Sequence, residues 1–184
     1  MVTEEGWRPI EVVRGLLNTW RIPDEQPRTP VDVLGAVLAE PAAAEEWPDL
    51  AAGPDDEPAL REVRNALRRL VEAPRDAAAL AAVDELVRAR LVGRLEPVAD
   101  GSLRAGWRPR VDSPDARVLV AFLRAVADGD WRRTRACPDC HWVFVDRSRN
   151  NTRVWCSMGG VGSRACGSAA KMRRYRARSA AGHG

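Results

Sequence analysis

The sequence predicts a mainly α-helical chain in two parts: a helical N-terminal domain with one small β-hairpin over residues 1–130, and a short ββα module over residues 131–184. Three observations lead there. Apolar residues recur at helical spacing through most of the first 130 positions, the rhythm breaks once around Asp100-Gly101, and all four cysteines fall in the final third. A length of 184 residues admits one ordinary domain plus a small satellite module. With 45% hydrophobic and 30% charged residues, the chain can bury a core.

In chain order, Ile10, Val13, Leu16, Leu17 and Trp20 mark a first helix. A second is expected to open at Thr29-Pro30-Val31-Asp32, with a capping Thr, a first-turn Pro and an acid at the third position, and to end near Glu40-Pro41. The stretch Pro41–Pro58 is rich in Ala, Pro and acids and reads as a loop with a short helix. Leu60, Val63, Leu67, Leu70 and Val71 form the stripe of an amphipathic helix stopped by Pro74. Asp76 caps the next, whose buried stripe is expected to be Leu80, Val83, Leu86, Val87 and Leu91. Residues 92–111 predict a hairpin turning at Asp100-Gly101. Ser113-Pro114-Asp115 restarts a helix carrying Leu119, Phe122, Leu123 and Val126, which ends at Asp128-Gly129-Asp130. Only a few residues then lead to Cys137, so the joint to the second part is expected to be semi-rigid.

Charge divides at the same place. Residues 131–184 hold twelve basic side chains against Asp139 and Asp146, net +10, which leaves −7 on residues 1–130. An acidic larger part joined to a basic tail is the asymmetry expected when one end meets a polyanion, most simply nucleic acid. No run of residues approaches the ~20 apolar positions of a membrane span, and the acidic start, Met1-Val2-Thr3-Glu4-Glu5, does not read as a secretion signal. A cytoplasmic location is expected.

The cysteines are spaced Cys137-x2-Cys140-x15-Cys156-x9-Cys166. A Cys-x2-Cys pair folds into a knuckle that delivers two thiolates to one ion, and a second pair completes the tetrahedron that Zn²⁺ prefers. A reducing compartment favours this use over disulfides. His141 is an alternative ligand, although four thiolates already fill the coordination sphere. Between the pairs, His141–Asp146 and Thr152–Trp155 alternate like two strands around a turn at Arg147–Asn151. A helix is expected from Cys166 onward, which makes the module treble-clef-like. So small a module draws much of its folding energy from the metal. Four protein ligands leave no position for water, so the site is read as structural.

From Cys137-Pro138-Asp139-Cys140 through Trp142, Phe144, Asp146, Ser148-Arg149-Asn150 and Arg153-Val154-Trp155-Cys156-Ser157-Met158, the chain resembles the CGNR zinc-finger family. In that family a last Cys-Gly-Asn-Arg opens a basic helix. Here the naming motif departs: Val161-Gly162-Ser163-Arg164 stands in that register, and Cys166-Gly167-Ser168-Ala169 follows five residues later. Taking Cys166 as fourth ligand implies a Gly-rich insertion, whereas the other register leaves three cysteines. Cys166 is preferred because Lys171-Met172-Arg173-Arg174-Tyr175-Arg176 then follows at the family distance. The resemblance also implies an N-terminal ABATE domain, put forward as a stress-induced transcription regulator, whose early motif Leu16-Leu17-Asn18-Thr19 resembles.

By that resemblance the module binds duplex DNA. Candidate contacts are Lys171, Arg173, Arg174, Arg176 and Arg178 on the terminal helix, with Ala169 and Met172 facing inward, and Arg147, Arg149 and Arg153 in the turn. Arg pairs with guanine O6 and N7, whereas Lys more often meets phosphate. Trp142 and Trp155 are read as core rather than as platforms for bases. No enzyme constellation stands out among two His and a Gly159-Gly160-Val161-Gly162 loop that lies outside any strand-to-helix turn. The alternative is a helical domain that binds a small molecule or a protein, with the zinc module as an interaction surface; RNA binding is a third reading. Because an isolated single module normally binds DNA weakly, a homodimer is compatible with the first reading.

Overall fold

The structure is a computed structural model that describes residues 8–23, 28–40, 52–157 and 166–181. Among the described residues it is mixed α/β, with helix the larger share and the strands confined to three two-stranded antiparallel pairs. The expected Pro41–Pro58 loop lies largely outside the described residues, as does the Gly159–Gly162 loop.

Helix α1 (Pro9–Asn18) starts on a first-turn Pro, carries Glu11 near its positive end, and buries Ile10, Val13, Leu16 and Leu17. It stops at Asn18 rather than running through Trp20. Trp20–Arg21 form β1, paired with β2 (Val31–Asp32) in the register Trp20↔Asp32. This overturns the helix expected from Pro30: α2 is shorter, Leu34–Ala39. The reason lies in a distant partner. The buried Arg64 guanidinium grips the Asp32 carboxylate through both nitrogens, at 2.6 and 2.7 Å, and Asp32 in turn accepts the Leu34 N–H at 3.2 Å. Asp32 is thus held ahead of the helix instead of inside its first turn.

Helix α3 (Glu57–Glu72) follows a 3₁₀ turn at Pro54–Asp56 and ends before Pro74. Its expected stripe is buried, but Arg64 and Arg68 are buried with it. Asp76 caps α4 (Ala77–Arg90), accepting the Ala78 N–H at 2.9 Å. The α4 stripe is corrected at both ends: Leu80 is 58% exposed and Ala79 is buried in its place, next to Val83 and Leu86, while Leu91, although buried, opens the strand that follows the helix. A short first-turn residue suffices where α4 leans on α3. The hairpin β3 (Leu91–Pro97) and β4 (Leu103–Pro109) turns at Asp100-Gly101, where Gly101 takes φ +83°. Helix α5 (Pro114–Ala127) buries Val118, Leu119 and Phe122, leaves the expected core residue Val126 on the surface, and ends at Gly129 with φ +79°.

After a 3₁₀ turn at Trp131–Arg133, β5 (Thr134–Ala136) pairs with β6 (Val143–Val145). The expected hairpin of residues 141–146 with 152–155 is therefore replaced by one that closes directly around the cysteine knuckle. Residues 152–155 form no ladder. One apolar core collects α1, α2, α3, α4 and α5 and includes Val143 of β6, with Trp131 and Ala136 packed against it. A second, small cluster gathers Cys137, Cys140, Phe144 and Cys166, bordered by Trp142, Trp155 and Cys156. Helix α6 (Cys166–Ala181) is the last element. Among the described residues, no helix is long and apolar enough to cross a membrane.

Candidate metal centre

The knuckle forms because β5 and β6 hold its two ends together. Cys137 donates its N–H to the Trp142 carbonyl at 2.9 Å, and the His141 N–H returns to the Cys137 carbonyl at 2.9 Å. His141 pays for that tight turn with a left-handed backbone, φ 58°. The third cysteine arrives on a loop organised by Asp146. That buried carboxylate accepts the Ser148 N–H and the Arg153 N–H, each at 2.8 Å, and so folds residues 146–153 back on themselves. Such a loop withholds residues 152–155 from β6. Arg133 closes it from below, donating to the carbonyls of Asp146 and Ser148, both at 3.0 Å. Arg135 reaches the Asn151 side chain at 3.2 Å. The fourth cysteine, Cys166, is the first residue of α6, and its neighbour Gly167 donates an N–H to the Ser157 carbonyl at 2.9 Å.

These elements bring together the four sulfurs of Cys137, Cys140, Cys156 and Cys166, all within 4.8 Å of one another. Cys140 and Cys156 Sγ are 3.5 Å apart, and Cys156 and Cys166 Sγ 3.6 Å. A tetrahedron with Zn–S bonds of about 2.3 Å has S···S edges of about 3.8 Å, so the donor set fits one such ion. Cys166, not the Val161 register, completes the set. Three of the sulfurs are in buried residues and Cys156 is partly exposed. The electrostatics point the same way. Hydrogen bonds from Cys140 and Cys156 pull the Cys137 thiol far below its ordinary value, while Cys156 is pushed up because it holds its proton toward Cys137 and Cys140. Burial, then the neighbouring Cys140, pushes Cys166 up. Four crowded thiols cannot all ionise unless a cation offsets them, and a divalent ion supplies that charge.

His141 is placed away from the cluster. Its Nδ1 lies 3.2 Å from Glu72 Oε1, and its ring meets Trp20 edge-on at 5.5 Å. Trp142 and Trp155 border the cysteine cluster, as a core reading requires. Of the turn arginines, Arg153 is spent inside the module: it donates to the Trp155 carbonyl at 2.8 Å and to the Cys156 carbonyl, and lies over the Phe144 ring at 5.2 Å. Arg147 pairs with Glu11 of α1 at 2.7 Å, and Arg149 is exposed. On α6, Lys171, Arg176 and Arg178 are exposed, and the side chains of Arg173 and Arg174 lie outside the described residues. The expected inward face is corrected at one position: Met172 is 50% exposed, and Ala170 is the buried residue one turn after Cys166. Among the described residues of α6, burial is confined to Cys166, Gly167 and Ala170, and Met172 lies on another face of the helix.

The residues that dock the knuckle onto the helices were not singled out for that role by any pattern in the sequence, Asn18 being marked there only as part of Leu16-Leu17-Asn18-Thr19. Asn18 is 4% exposed; its amide accepts the Val143 N–H at 2.7 Å and donates to the Val143 carbonyl at 3.0 Å, pairing β6 as a neighbouring strand does. Ile22 donates its N–H to the Cys140 carbonyl at 3.0 Å, and Arg28 takes the Asp139 carboxylate with two nitrogens, at 3.2 and 3.3 Å. Arg68, stacked over Trp20 at 4.4 Å, donates to the carbonyls of Leu17 and His141, at 2.8 and 3.0 Å. Alternation and helical periodicity cannot report such contacts, because each joins positions far apart in the chain.

Residues 133–179 match the family model of the CGNR zinc finger. The matched span contains all four clustered cysteines, and with their geometry it supports Zn²⁺ as the cofactor. No curated protein matches the chain.

Proposed function

We propose that the chain is a cytoplasmic DNA-binding transcriptional regulator without enzymatic activity. In this reading Cys137, Cys140, Cys156 and Cys166 hold one structural Zn²⁺ in a treble-clef-like module spanning residues 131–184, and an ABATE-like helical domain over residues 1–130 regulates it. The observation that carries the reading is the position of α6. It starts on the fourth ligand and runs sixteen residues, with Lys171, Arg176 and Arg178 exposed and no acidic residue in its sequence. A cationic rod anchored at one end suits the major groove or the phosphate backbone. Arg149 on the neighbouring loop adds a further exposed charge. Arg147 and Arg153 contribute less, because both already have partners within the chain.

The test is fluorescence anisotropy of the zinc-loaded chain against random-sequence duplex DNA at ~50 and ~200 mM salt. Affinity is expected to fall by orders of magnitude across that range and to be abolished by combining Lys171→Glu, Arg176→Glu and Arg178→Glu. No binding at the lower salt, from protein holding one zinc per chain, overturns the duplex reading.

One observation favours the second reading, a small-ligand or protein effector. A groove of about 640 Å³ separates the end of α3 from the knuckle, lined by Leu70, Val71, Trp131 and Pro138 with Arg132 and Glu72 at its polar margin. Its size is that of small-molecule sites. An occupant there would touch both the helices and the residue beside Cys137. Such a ligand is compatible with the DNA reading, and it replaces that reading if the titration fails.

A further inference from the structure

We propose that Cys156 is the oxidation site of the cluster: the sulfur at which a hydroperoxide attacks, converting the four-thiolate centre to a disulfide and expelling the metal. The inference rests on the zinc reading above and goes beyond it, since the family match and the cluster geometry assign no reactivity to any of the four sulfurs.

Access distinguishes the four. Cys137 and Cys140 are fully buried and Cys166 is 1% exposed, whereas Cys156 is partly open to solvent. A two-electron oxidant has to approach a sulfur along the axis of its O–O bond, and Cys156 is the one residue of the four that is not buried. The segment around it gives further access. Residues 152–157 belong to no helix or ladder, and Val154 is 55% exposed.

Geometry then supplies the second half of the reaction. Cys156 Sγ lies 3.5 Å from Cys140 Sγ and 3.6 Å from Cys166 Sγ, so a resolving thiolate stands on either side. Closing to a bond of about 2.05 Å requires a sulfur movement of about 1.5 Å. In the first step the Cys156 thiolate attacks one peroxide oxygen, the O–O bond breaks, and Cys156 sulfenic acid and hydroxide form. In the second, the Cys140 or Cys166 thiolate attacks the sulfenic sulfur, the S–O bond breaks, and a second hydroxide leaves. Two thiolates have then lost two electrons to the peroxide. The metal retains two of its four ligands, too few for a closed structural site. Helix α6 loses its anchor at the same moment, because Cys166 is its first residue and Ala170 is its next buried side chain.

The experiment uses the full chain with zinc content measured first. Hydrogen peroxide is added in increments, zinc release is followed with a metallochromic dye, and cysteine states are mapped by mass spectrometry of non-reduced peptides. The expected result is that every early product contains Cys156, paired with Cys140 or Cys166, with one zinc released per disulfide and both changes reversed by a dithiol and added zinc. N-ethylmaleimide in less than stoichiometric amount is expected to label Cys156 first. Cys156→Asp, which keeps an anionic ligand that cannot be oxidised, is expected to slow zinc release by roughly tenfold or more. Early modification centred on Cys137, or spread evenly over the four sulfurs, overturns the inference while leaving the zinc reading intact. A chain that carries no zinc fails at the metal analysis and overturns both.

Discussion

Asn18 shows how one side chain joins two parts of the molecule. Its amide satisfies both the N–H and the carbonyl of Val143, whose side chain is fully buried. Asn18→Leu keeps the volume but leaves two buried backbone groups unpaired, each costing about 1–3 kcal/mol. Urea unfolding of the zinc-loaded variant is expected to show a loss of about 2–6 kcal/mol on that basis; a loss under ~0.5 kcal/mol would show that water replaces the amide at no cost. A second residue-scale device is Asp32. Its hydrogen bonds with Arg64, helped by the Leu34 N–H and the charges of Arg64 and Arg61, hold its carboxyl at about 2. A folded value below the unfolded one means that the unfolded chain binds the proton more readily, so the stabilisation is full above pH ~4 and fades as the pH falls from ~4 to ~2. The stability gap between the wild type and Asp32→Asn should therefore be constant above pH ~5 and narrow progressively below ~4. Taking the difference removes the contribution of zinc loss, which both chains share. A gap that widens in acid contradicts this assignment.

At the scale of the element, α6 depends on the metal more than on its own sequence. Its charged side chains follow no apolar stripe, and among the described residues those it buries, Cys166, Gly167 and Ala170, belong to the first two turns. An isolated helix of this length is marginal in water. Chelation of the zinc is therefore expected to reduce the far-ultraviolet helical signal by about the share of one sixteen-residue helix, with the remaining helices retained. Loss of the entire signal, or of none, contradicts it. The same contrast explains what was legible in the sequence. Helices α1, α3, α4 and α5 and the β3–β4 hairpin are written in local signals: apolar stripes, the Asp76 cap, Pro74 and the Asp100-Gly101 turn. The four cysteines were legible because their residue type already implies the chemistry. The β5–β6 pairing was not legible, because Asp146 folds residues 146–153 into a loop and so frees β6 to pair backward with Thr134–Ala136. Nor was β2, which exists because Arg64, thirty-two positions away, claims Asp32. Leu80 and Met172 fit helical periodicity and lie on the surface, since periodicity marks a face without showing whether another element covers it.

At the scale of the molecule, the charge asymmetry and the packing run in opposite senses. Net charge divides the chain into −7 and +10 at residue 130, yet Val143 enters the same core as the helices, and Asn18, Ile22, Arg28 and Arg68 all bind the knuckle or its strand. The first half of the zinc site, Cys137 and Cys140, is therefore built onto the helical body, while the second half, Cys156 and Cys166, reaches it by way of a loop and the head of α6. Arg133, Arg135 and the Arg147–Glu11 pair hold the loop between them, and the metal adds the bond that ties Cys156 and the head of the basic helix to the knuckle. The most direct measurement of this claim is zinc K-edge X-ray absorption on the full chain. The account predicts one zinc with four sulfur neighbours at about 2.3 Å and no nitrogen or oxygen in the first shell. A nitrogen or oxygen neighbour in place of one sulfur would contradict it, because one of the four cysteines would then stand outside the coordination sphere and the two halves would not close on one ion.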